Sequence, residues 1–182
     1  MDISYRLVRS SRKTIAIHIT PAGEVELRCP WRCSKREAEA FLVSKQDWIR
    51  KHLQTIAARE PLPVLAEEAL RSLAKEAAEV LPDSVQFFAE RMGVTYGRIT
   101  IRSQRTRWGS CSAKGNLNFN CLLMLCPQEV RDYVVIHELC HRKEMNHSPR
   151  FWAEVAKICP DYSLRRKWLK ENGSALIARL PE

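Results

Sequence analysis

The stretch Val134–Trp152, VVIHELCHRKEMNHSPRFW, decides how the rest of the chain is read. It contains His137-Glu138-Leu139-Cys140-His141, an H-E-x-x-H pattern. Residues four apart share one face of an α-helix, so His137 and His141 can present imidazole nitrogens to one point. A zinc ion is held by such nitrogens at about 2.0–2.1 Å in tetrahedral geometry. Glu138, one residue on, stands beside that point and can take a proton from a metal-activated water.

His147 is a third donor, six residues beyond His141. A continuous helix would carry it about 9 Å further along the axis. The helix must therefore stop and the chain turn back. Asn146 suits a turn and tolerates left-handed backbone. Ser148-Pro149 reads as the N-cap and first position of a new helix. Three protein ligands leave a fourth position open, as a catalytic zinc site requires. Cys140, three residues from His137, is an alternative donor, but a small apolar side chain on the buried side of the helix explains it better.

Working outward, Cys126-Pro127-Gln128-Glu129 opens the metal helix, with Pro at the first helical position and an acid in the first turn. Val135 and Leu139 face away from the two histidines and should anchor the helix on the core. Phe151, Trp152, Val155 and Ile158 form an apolar face on the next helix, and a last helix runs from about Asp161 to Glu171, ending at Asn172-Gly173. Upstream, Arg98–Arg102 alternates as a strand. Asn116–Asn120 alternates too, with Leu117 and Phe119 on one face and asparagines on the other. Together with the preceding Arg105–Ser112 segment this predicts a small antiparallel sheet with one apolar face. A sheet edge beside a metal helix can hold an extended peptide by main-chain hydrogen bonds. Arg107 and Trp108 lie in this segment and are candidates for substrate contact or for structural anchoring.

In residues 5–29, Ile15, Ile17 and Ile19 alternate with polar positions, Pro21-Ala22-Gly23 marks a turn, and Val25 and Leu27 alternate after it, which predicts a β-hairpin. Ser34 and Glu37 form a capping box for a helix running to about Ala58. His18 reads as an exposed strand residue and His52 as a surface or partly packed one. Glu60-Pro61-Leu62-Pro63 marks a possible subdomain boundary, giving an N-terminal part, 1–60, and a metal-binding part, 61–182, of one domain. Two further helices are expected, about Leu65–Leu81 and Asp83–Met92, separated by Pro82 and stopped by Gly93.

The chain has 182 residues, 45% of them hydrophobic and 28% charged, as in ordinary globular proteins. No apolar run is long enough to span a bilayer, and the N-terminal residues lack a signal core, so a cytoplasmic location is expected. Seven cysteines form no CxxC pair and are read as reduced thiols. The net charge of +9 is compatible with a phosphate-bearing or acidic partner, but the cations are scattered and no nucleic-acid motif stands out.

The segment TRWGSCSAKGNLNFNCLLMLCPQEVRDYVVIHELCHRKEMNHSPRFW closely resembles the YgjP-like predicted metal-dependent hydrolases, zincin-like proteins related to the SprT and WLM groups. The early hairpin and the Asp47-Trp48-Ile49 helix resemble this family as well. The resemblance implies an α+β zincin-like fold, a Zn²⁺ site at His137, His141 and His147, and Glu138 as catalytic base. Glu144 stands where metzincins have a glycine, so the turn after the motif must be made differently. The leading expectation is a zinc-dependent metallopeptidase acting on a peptide or protein, with Arg107 or Asn146 as a second electrophile. Two alternatives are a metal-dependent hydrolase of nucleoside triphosphates, with Arg105 and Arg107 steadying phosphates, and a nucleic-acid-associated protein with a structural zinc.

Overall fold

The computed structural model describes residues 3–20, 22–58 and 62–181. The predicted turn at Pro21 and the Glu60-Pro61 part of the predicted boundary fall outside the described residues. The chain divides into two compact units, Met1–Pro61 and Leu62–Glu182.

The first unit holds β1 (Arg6–Ser10), β2 (Ala16–Ile19), β3 (Val25–Pro30), α1 (Lys35–Ser44) and α2 (Gln46–Ala57). The predicted hairpin is β2 and β3, antiparallel with Ile17 opposite Leu27. β1 adds on the far side of β3 and runs parallel to it, which gives the order β1-β3-β2. The Val25, Leu27 and Cys29 side chains meet Ala38, Leu42 and Ile49 of the helices in a buried core. Ser34 caps α1 with Glu37 as the reciprocal partner, as the sequence predicts. The single helix expected to run to Ala58 is instead two, parted at Lys45. The Ser44 hydroxyl donates to the Phe41 carbonyl at 2.7 Å, a local competitor for the helix ladder. His18 is exposed beside Glu26, and His52 stacks on Trp48.

The second unit begins with α3 (Glu67–Met92) and continues through β4 (Ile99–Arg102), β5 (Gly109–Cys111), β6 (Leu117–Asn120), a 3₁₀ turn (Cys121–Leu125), α4 (Gln128–Cys140), α5 (Pro149–Ile158) and α6 (Tyr162–Ile177). The mixed α+β architecture is the expected one. The sheet is small, in the order β4-β6-β5, but only the β5–β6 pair is antiparallel; β4 runs parallel to β6. Hydrophobic alternation marks faces, not strand order, so the parallel pairing was not visible in the sequence.

Two expected helix stops do not occur. α3 continues through Pro82, because Ala77, Leu81, Val85 and Ala89 form an unbroken buried stripe. The carbonyl that Pro82 leaves without a donor is that of Ala78, an exposed residue, where water can reach it. α6 likewise runs through Asn172-Gly173 to Ile177. Gly173 is buried, and a Cβ there would lie 3.1 Å from Cζ2 of Trp108, so the glycine marks a close contact. Pro127 is the N-cap of α4 and not its first residue, so the helix starts at Gln128, one position later than predicted.

The core of this unit joins α3 to the inner face of the sheet, through Leu117 and Phe119, and to α4 through Val135 and Leu139. Both α4 residues are wholly buried, as expected of the face opposite the histidines. Cys140 is also wholly buried, and burial pushes its thiol up to about 12. It fills the core and is not one of the clustered donors.

Candidate metal centre

His137 lies in the last turn of α4 and His141 is the residue that caps its C-terminus. Main-chain bonds from Arg142, Lys143 and Glu144 back to Leu139 and Cys140 close the helix. The turn that follows needs no left-handed residue: among the described residues, positive φ occurs only at Gly23, Gly93 and Gly115. Asn146 instead accepts the Ser148 N–H on its side-chain oxygen at 3.2 Å, an Asx turn. Ser148 in turn accepts the Phe151 N–H, and Pro149 takes the first position of α5. These caps place His147 back over the end of α4.

The three imidazoles converge. One ligand nitrogen from each of His137, His141 and His147 lies within 4.8 Å of the others, and Nε2 of His137 and Nε2 of His147 are 2.9 Å apart. A tetrahedral ion with nitrogens at about 2.0–2.1 Å needs them roughly 3.4 Å apart, inside this span. His141 Nδ1 lies 3.1 Å from the Glu144 carbonyl, which only accepts, so Nδ1 carries the proton and Nε2 keeps its lone pair. Burial, with the imidazoles of His141 and His147 adding to it, pushes His137 down to about 3. His141 is also lowered, mainly by burial. Neutral imidazole is the form that binds a metal, so this donor set fits a divalent ion.

Phe151 is the floor of the cluster. Its ring is wholly buried and its centroid lies 4.8, 4.6 and 4.8 Å from those of His137, His141 and His147.

Glu138 is 5% exposed and stands in the same cleft of about 320 Å³ as the three histidines and Arg107. Burial pushes its carboxyl up to about 8, and the Arg107 guanidinium offsets part of that rise. The other wall is β5. Trp108 and Ser112, on either side of it, bond to Asn120 N–H at the end of β6 and to the C=O of Asn116 just before it, both at 2.9 Å. The antiparallel alternation then turns the main-chain groups of Gly109 and Cys111 outward, at the free edge.

Among the residues predicted to meet substrate, Arg107 lines the cleft. Trp108 packs inward against Gly173, and Asn146 spends its oxygen on the turn. Arg105 is directed elsewhere, donating to the Leu180 and Pro181 carbonyls. The sequence reading missed Gly109, Ser110, Cys111 and Met145 as cleft residues. A glycine inside a strand was the available signal for the first of these, since it marks close approach by another group. It also missed Asn120, wholly buried, whose amide donates to the Gln104 and Arg107 carbonyls at 2.7 and 3.2 Å and fixes the segment entering the cleft.

Paired histidines on one helix, a third histidine folded back onto them and a buried acid alongside are the arrangement a metal-dependent hydrolase needs. The family model described as YgjP-like, metallopeptidase domain, matches residues 13–72 and 63–172, and the chain belongs to this family. It is a hydrolytic enzyme of the metal-dependent kind, and the family implies a divalent metal and a peptide or protein substrate. Among solved structures, the metallopeptidase zymogen of Pyrococcus abyssi abylysin is similar at 23% identity, covering 50% of this chain and 94% of that one with a TM-score of 0.46. The metallopeptidase zymogen of Methanocaldococcus jannaschii jannalysin is similar at 22% identity, covering 48% and 93%, with a TM-score of 0.42. No curated protein matches the chain. Among the described residues, no helix is long and apolar enough to cross a membrane.

Proposed function

We propose that the chain is a zinc metallopeptidase in which His137, His141 and His147 hold the ion and Glu138 is the general base. The observation that carries this reading is the convergence of three imidazole nitrogens within 4.8 Å in the cleft that holds Glu138. Bound zinc supplies Lewis acidity, polarising a carbonyl and bringing the pKa of water to about 7 from 15.7. Glu138 takes the proton of the attacking water and returns it to the leaving amine. Burial makes its carboxylate more basic than that of an exposed glutamate, and the ionised form is the one that accepts the proton. Arg107 faces the oxygen on which negative charge develops. The outward main-chain groups of Gly109 and Cys111 hold the substrate as an added strand.

Three nitrogen ligands beside an acid suit catalysis better than a structural site, which more often uses four ligands with thiolates. Phosphoanhydride hydrolysis is less well supported, because Arg105 is committed to the Leu180 and Pro181 carbonyls. The seven free thiols suit a reducing compartment such as the cytoplasm.

The test is metal content by mass spectrometry together with turnover of a fluorogenic casein. Wild type should carry about one zinc per chain and His147→Ala much less. Glu138→Gln should keep its zinc and lose about 10²–10⁴-fold in turnover. Full zinc in His147→Ala, or wild-type turnover in Glu138→Gln, would remove the corresponding assignment.

A further inference from the structure

Glycine inside a strand weakens pairing and leaves nothing to pack. Gly109 nevertheless begins β5, with Phe119 as its partner on β6. Phe119 is wholly buried, and residues directly opposite in an antiparallel pair point to the same face. A side chain at position 109 would therefore point inward, and Glu138 already fills that space. A Cβ built on Gly109 would lie 2.7 Å from both Cγ and Oε1 of Glu138 and 3.0 Å from Cδ. These are closer approaches than real Cβ atoms make, and the atoms met include the carboxylate itself.

Neither side can yield freely. Glu138 is carried by α4, whose Val135, Leu139 and Cys140 are wholly buried on the core. β5 is tied to β6 on both sides of Gly109, at Trp108 and Ser110. The segment before it is held by Asn120. Only rotation of the Glu138 side chain would make room, and that moves the carboxylate.

We propose that Gly109 is a positioning residue: its bare Cα is the seat against which the Glu138 carboxylate is pressed, and the seat sets where that carboxylate stands in the cleft. This rests on the reading of Glu138 as the base. Gly109 also turns its main chain to the free edge, so one residue sets the spacing between the substrate strand and the base.

The test is a cycle of four proteins: wild type, Gly109→Ala, Glu138→Ala and the double variant. Each is compared by urea unfolding midpoint, by zinc affinity against a chromophoric chelator and by casein hydrolysis. Gly109→Ala should lower the midpoint when Glu138 is present and leave it unchanged in the Glu138→Ala background, where the space is open. In the single variant kcat should fall about 100-fold, the size of a general-base contribution, with KM and zinc affinity near wild type. If Gly109→Ala does not fold but the double variant does, the seat is upheld. Equal destabilisation in both backgrounds, failure of both to fold, or wild-type kcat in Gly109→Ala would overturn it. Coupled stabilities without casein hydrolysis by wild type would uphold the seat and count against the peptidase reading instead.

Discussion

Trp152 stacks on His147, with ring centroids 5.8 Å apart and planes 29° apart. Tyr162 stacks on Trp152 in turn, and the Arg166 guanidinium lies 4.8 Å from the Trp152 ring centroid. His147 is exposed and precedes a helix rather than riding on one, so the indole supplies orientation that backbone alone does not. Removing such an outer partner of a ligand typically costs about 10–100-fold in metal affinity. Trp152→Ala should weaken zinc by this order in a chelator competition, while Trp152→Phe, which keeps a stacking ring, should lose much less. Unchanged affinity in the alanine variant would show that the stack does not orient the ligand.

Phe151 touches all three imidazoles from the core side, so its loss should be felt twice. Truncating a wholly buried phenylalanine costs about 3–5 kcal/mol. Phe151→Ala should show that loss in urea unfolding without metal, and weaker zinc binding as well. Phe151→Leu should be milder on both counts. A stability loss with unchanged zinc affinity would separate the floor from the ligand geometry.

Arg107 lies in the cleft near Glu138. If it faces the developing oxyanion, Arg107→Ala should lower kcat by about 10²–10³-fold, the range for losing one such donor. Zinc content should stay at the wild-type level. A rise in KM alone would make Arg107 a substrate-binding residue of the ground state.

Glu26 is expected to contribute to the acid response of the first unit. The residue is 6% exposed, and its carboxylate bonds to Arg6 and lies 2.7 Å from Arg28. The hydrogen bond from Arg6, then that from Arg28, draws its pKa from 4.5 to about 2. The folded form thus holds the ionised carboxylate more strongly than the unfolded chain does. That stabilisation is complete above pH 4.5 and fades as pH falls toward 2. Glu26→Gln should lower the urea midpoint at pH 7 and flatten its decline across this acid window. A wild-type slope in the variant would assign the acid response to other carboxylates.

The candidate metal site was legible because its signals are local. Histidine spacing, the Ser148-Pro149 cap and the apolar stripe of α4 each act within a few residues. Pro82 and Gly173 misled for the opposite reason. Both are helix breakers by local chemistry, and both are overridden by contacts far away in sequence: the buried face of α3, and the Trp108 ring. Asn120 read as one of several polar strand residues, although its amide closes the loop that carries Arg107. Gly109 shows the same limit, since its necessity lies in a side chain 29 positions later.

The contact between Trp108 and Gly173 also bears on redesign. Three residues before that tryptophan, Arg105 is fastened to the Leu180 and Pro181 carbonyls. The segment that delivers Arg107 and Gly109 to the cleft is therefore indexed at two points, to α6 at Gly173 and to the residues after it at Leu180 and Pro181. A designer who lengthens or swaps that segment to change what the enzyme cuts would have to transplant α6 and the residues that follow it as well.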